Sequence, residues 1–131
     1  MDDRFEVRVG VGTMMSGSGT AAPFPHRWTP GGVTVEADFT GGHLLHLGAA
    51  GCVLNDLYRE AAALGIELTG ARVIAAAGFD TETWRSTGIG YSVEVSSEAP
   101  ADQLAHLLEV VDRVAEIPQA IRAGATVRRV S

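Results

Sequence analysis

Cys52 is the only cysteine among 131 residues, and no other side chain in the sequence duplicates its chemistry. A lone thiol is either a small core residue or, once ionised, a nucleophile toward peroxides and disulfides. Ionisation is favoured by a cation, and all 10 basic residues here are arginines. The absence of lysine removes Schiff-base chemistry and a phosphate-loop lysine. On a helix Arg59, seven residues after Cys52, returns to within about 20° of the cysteine's face but two turns away. Asp56, four residues after, lies closer and opposes a thiolate. The dipole of a helix beginning near His43 fades within its first turn, short of Cys52. The activating cation is therefore expected from outside the helix, and Arg27, in a loop rich in proline and aromatic residues, is the candidate.

His43 and His46 are spaced as two ligands on one helix face, with Cys52 as a conceivable third. On a regular helix, however, Cys52 lies about 180° from His43 and about 240° from His46, so the three do not converge. No metal and no other cofactor is expected. His26 and His106 have no partner nearby in sequence. Gly10, Gly12, Gly17 and Gly19 lack the strand and helix that a dinucleotide-binding glycine loop requires.

Several elements must position Cys52. Phe5 to Val11 and Val33 to Phe39 alternate apolar and polar residues, as half-buried strands do, with Phe39 on the apolar face of the second. Between them Gly12 to Gly32 is a long loop holding Pro23, Pro25 and Pro30. His43 to Leu64 is apolar around much of a helical circumference and stops at Gly65. Its run Gly48-Ala49-Ala50-Gly51 carries little side chain, so a helix or ligand can approach the backbone beside Cys52. Ile66 to Phe79 and Thr87 to Ser97 read as an antiparallel hairpin. Pro100 opens a second amphipathic helix, Ile117-Pro118 breaks it, a short helical turn follows, and Thr126 to Val130 reads as a last strand.

Composition sets the remaining limits. With 46% hydrophobic and 20% charged residues the chain is of ordinary globular type, and one domain over 1–131 is expected. A chain of this length buries about two-thirds of its unfolded surface and needs no disulfide. The formal charge of −6 argues against nucleic acid. Met1-Asp2-Asp3-Arg4 shows no signal or transit pattern, and Asp56, Arg59 and Glu60 interrupt the apolar stretch from Leu44 to Leu64. A cytoplasmic protein without membrane contact is expected.

The segment from Gly42 through His43-Leu44-Leu45-His46-Leu47-Gly48-Ala49-Ala50-Gly51 to Cys52, entering a long helix followed by a hairpin, resembles the OsmC/Ohr family, whose members carry Ala-Gly-Cys or Ala-Ala-Cys at this place. The resemblance spans about Val33 to the end. It implies an α+β fold of antiparallel sheets with two long helices, an intertwined homodimer and sites at the subunit interface. It also implies a thiol peroxidase of the oxidative stress response, in which an Arg–Glu pair activates one cysteine against an organic hydroperoxide and a second cysteine, before a proline, resolves the product. Cys52 falls on the first cysteine. Ile117 stands where the second would be, and Gly42 where the glutamate would be. The resemblance therefore implies a one-cysteine peroxidase using an external thiol. The alternative is a redox-inactive dimer of the same fold binding a small apolar ligand between subunits.

Overall fold

The computed structural model describes residues 4–131, so Met1 to Asp3, on which the reading of an acidic leaderless start rests, lie outside the described residues. Alternation makes the central strand: β1, Val7–Gly12, puts Val7, Val9 and Val11 on one buried face. It pairs antiparallel with β3, Val33–Glu36, on one side and β4, Gly70–Ala76, on the other. β5, Gly90–Ser96, pairs with β4 to give the expected hairpin. A strand inside the long loop, β2, Ala22–Phe24, pairs with β3 and completes one five-stranded sheet in the order β2-β3-β1-β4-β5. Three exposed residues with a proline among them carry no periodicity, so only the edge of β3 reveals this strand.

α1, Gly41–Ala63, begins at Thr40, whose hydroxyl accepts from the His43 backbone N–H, and it ends before Gly65, held at φ +70°. Its residues Ala50, Val53, Leu54, Leu57 and Ala61 pack with Val7, Val9, Val11, Val73 and Ala75 of the sheet. α2, Ala101–Val114, adds Leu107 and Val111 to the same cluster. The central helix therefore has apolar partners on more than one side, as the breadth of its apolar surface requires. No helix among the described residues is long and apolar enough to cross a membrane.

Three expectations are corrected. β3 stops at Glu36, and Phe39, expected on its apolar face, is 90% exposed. The helix break falls at Ala115, whose extended ψ of 119° separates α2 from α3, Glu116–Ala123. Pro118 is then the third residue of α3, in the first turn, where a missing N–H costs no helical hydrogen bond. Thr126 to Val130 forms no strand, and Val127 is 94% exposed. Its threonine and two valines are strand-forming residue types, but a strand also needs a neighbouring edge, and the tail pairs with none among the described residues.

Candidate functional site

Cys52 lies midway along α1 on the side where α3 crosses it. The crossing runs beside the small-residue run, where a Cβ on Gly48 would meet Ile117 Cγ2 at an ordinary contact distance of 3.7 Å. A polar tie holds α3 in place from the other side. Asp112 of α2 accepts from Tyr91 of β5 and pairs with Arg122 of α3 at 2.9 Å, while Gln119 donates to the Arg113 carbonyl at 2.9 Å. Both partners keep the Asp112 carboxyl below its ordinary range, the Tyr91 hydrogen bond most of all.

This packing sets the first residues of α3 against the thiol. The Ile117 backbone N–H donates to Cys52 Sγ at 3.5 Å, and the thiol donates to Glu116 Oε2 at 3.5 Å. Glu116 is in turn held by Arg59, whose Nη1 lies 2.9 Å from Oε1. The same guanidinium reaches Asp56 Oδ2 at 3.2 Å and Glu60 Oε2 at 3.0 Å. Arg59 thus bridges three carboxylates, two on its own helix and one on α3, and completes a chain from sulfur to carboxylate to guanidinium.

The electrostatics of the group are uneven. Burial pushes the Cys52 thiol up, the Ile117 N–H lowers it, and Asp56 and Glu116 raise it further. Resting Cys52 is therefore a thiol at neutral pH. Asp56 is only 3% exposed, and burial raises its carboxyl to about 6 against the pull of Arg59. Exposed Glu116 goes the other way, held below its ordinary range chiefly by Arg59. Cys52, Asp56 and Glu116 bring ligand atoms within 4.8 Å of one another, a grouping found once among the described residues. Arg59 pairs with both of these carboxylates, so the thiol stands beside an ion-paired cluster.

The remaining sequence candidates are placed elsewhere. Arg27 sits beside the Trp28 ring, 5.8 Å from its centroid. With His26, Leu47, Gly51, Leu54 and Asn55 it walls a cavity of about 350 Å³ between the loop, the sheet and α1. His26 docks that loop on α1 through Asn55 at 3.0 Å. The cation in the Cys52 cluster is Arg59, which helical angles put on the correct face but two turns off. Its long side chain and Glu116, 57 residues later, close that gap. No local sequence signal marks Glu116. His43 and His46 do not converge on Cys52: Nδ1 of His43 contacts Thr40 Oγ1 at 2.6 Å, and Nδ1 of His46 donates to the Phe5 carbonyl at 2.8 Å.

Comparison with known proteins agrees with this architecture. The crystal structure of an OsmC-like hydroperoxide resistance protein from Jannaschia sp. CCS1 superposes with a TM-score of 0.53 at 14% identity, covering 96% of this chain and 93% of that one. No curated protein matches the sequence. The family model described as OsmC-like protein matches residues 34–129, which include Cys52, Arg59 and Glu116. The α+β architecture and the matched segment together establish that the chain belongs to the OsmC-like family.

Proposed function

We propose that the protein is a one-cysteine thiol peroxidase acting on organic hydroperoxides. The observation that carries this reading is the contact of Cys52 with a carboxylate held by an arginine, with Glu116 and Arg59 standing in for the family's Arg–Glu pair. In the reaction the ionised sulfur attacks the terminal peroxide oxygen, the S–O bond forms as the O–O bond breaks, and the alkoxide leaves to become an alcohol. The Cys52 sulfenic acid then condenses with a small external thiol, releasing water, and a second thiol molecule frees Cys52 as a disulfide departs. A reducing cytoplasm supplies such thiols, which is the basis for placing the protein there.

The test is intact-protein mass spectrometry after exposure to cumene hydroperoxide without added thiol. Cys52 should gain about 16 Da, one oxygen, or about 32 Da on further oxidation. Cys52→Ser should gain neither and consume no peroxide. If wild-type protein neither gains oxygen nor consumes peroxide, the second reading takes over: a redox-inactive binder of a small apolar ligand. That reading is favoured by the raised thiol and by the cavity lined by Arg27, Leu47 and Leu54.

The active form in this reading is a homodimer. Phe39 and Trp84 are 90% and 74% exposed, and Ile117, beside the thiol, is 42% exposed, more large apolar surface than one chain gains by leaving in water. Light scattering should give twice the 13.7 kDa chain mass, and a monomer mass at micromolar concentration would reject the dimer.

A further inference from the structure

Asp56 is a buried acid within the reactive cluster whose role the thiol–glutamate–arginine chain does not explain. A carboxylate four residues after a reactive cysteine raises the thiol and so opposes attack. Its Oδ2 is buried without a hydrogen bond, although the Arg59 guanidinium lies 3.2 Å away. The charged groups interacting with it are Cys52, Arg59 and Glu60 on its own helix and Glu116 from α3. Of these, Glu116 links it to the sulfur: it accepts from Cys52 at 3.5 Å, and the sulfur and the Asp56 and Glu116 carboxylate oxygens lie within 4.8 Å of one another.

We infer that Asp56 is the proton store of the peroxide reaction, taking the Cys52 thiol proton through Glu116 and returning it to the departing alkoxide. The inference rests on the peroxidase reading above. Before attack the proton moves from sulfur by way of the Glu116 carboxylate to Asp56, leaving a thiolate and a neutral acid. Sulfur then bonds to the terminal oxygen, the O–O electron pair leaves on the alkoxide, and Asp56 protonates it to the alcohol. The sum is thiol plus hydroperoxide giving sulfenic acid plus alcohol, with no proton exchanged with solvent. Glu116 is held too acidic by Arg59 to keep the proton, whereas Asp56, at about 6, is matched to a reaction near neutrality.

This scheme sets a distinctive pH profile. Thiolate with protonated Asp56 contains the same number of protons as thiol with ionised Asp56, so its population does not change with pH between the two titrations. Peroxide consumption should fall below about pH 6, where both groups carry protons, and stay level from there up to the thiol's own titration. Alkylation by iodoacetamide counts the thiolate whichever state Asp56 is in, so it should leave the level and climb toward about tenfold per pH unit as the thiol's own titration is approached.

The test pairs these two measurements in wild type and Asp56→Asn. The variant removes a charge that opposes the thiolate, so alkylation should speed up. Peroxide consumption should nevertheless drop by about 100-fold, the usual range for loss of a general acid or base, and lose its level region. Asp56→Glu should restore part of it. Faster peroxide consumption in Asp56→Asn would overturn the proton role, and so would equal slowing of both reactions. A wild type inert to peroxide but alkylated faster when Asp56 is replaced would instead overturn the peroxidase reading beneath it.

Discussion

Leu57→Ala is expected to destabilise the protein by about 2–5 kcal/mol, the range for large-to-small changes at fully enclosed leucines. Leu57 is 0% exposed and belongs to the single cluster that joins α1, the sheet and α2. Part of the cost is the transfer of the removed carbons, and the rest is the cavity left behind. That cavity cannot readily collapse, because α1 is held by β1 and β4 on one side and by α2 on another. Leu64, at the helix end and 42% exposed, provides the control: Leu64→Ala should cost less than about 1 kcal/mol. Urea denaturation followed by circular dichroism measures both. Equal midpoints for the two variants would contradict the packing described.

Arg59→Ala should be the most damaging change at the reactive cluster, and its effect should depend on pH. Asp56 is raised to about 6 from an ordinary 3.8, so the fold favours its protonated form. The stability linked to this group is complete below the unfolded value and is lost as pH rises through about 6. Removing Arg59 leaves the ionised Asp56 buried without its cation and raises it further. The penalty should be about 1–3 kcal/mol at pH 8, below the range for fully buried pairs because the guanidinium is partly exposed. It should shrink toward pH 4, where Asp56 is neutral in both proteins. Glu116, no longer held, rises too, and the thiol loses the anchored end of its contact. Denaturation of both proteins at pH 5 and pH 8 checks the sign, and a penalty larger at pH 5 would refute it.

The course of the chain was legible wherever a pattern repeats within one element. Val7, Val9 and Val11 announce a half-buried strand, and the breadth of apolar residues from His43 to Leu64 announces a central helix. The stretch Ala22–Phe24 is a strand because β3 lies beside it, and Thr126 to Val130 is not one because no edge does; neither fact is local. Cys52 stands out as the sole thiol, but its apolar helix suits a core residue, and it is the resemblance around Ala50-Gly51-Cys52 that makes it the candidate. Its cation was not legible, because wheel angles describe backbone direction, whereas Arg59 acts through the length of its side chain and through Glu116. Sequence separation hides that glutamate completely. Only the docking of α3, set by the break at Ala115 and the Tyr91–Asp112–Arg122 tie, brings it to the sulfur.

The Ile117 N–H on Cys52 has a different kind of consequence. This contact is made by the main chain, so it survives any replacement at position 117 except proline and imposes no chemical demand on the side chain there. The thiol's support is thus divided between a permanent part, fixed by the path of the backbone, and a replaceable part, the carboxylate of Glu116. Substitution at position 116 can retune the sulfur while the first part stays intact. Position 117 is left free to shape whatever surface approaches it.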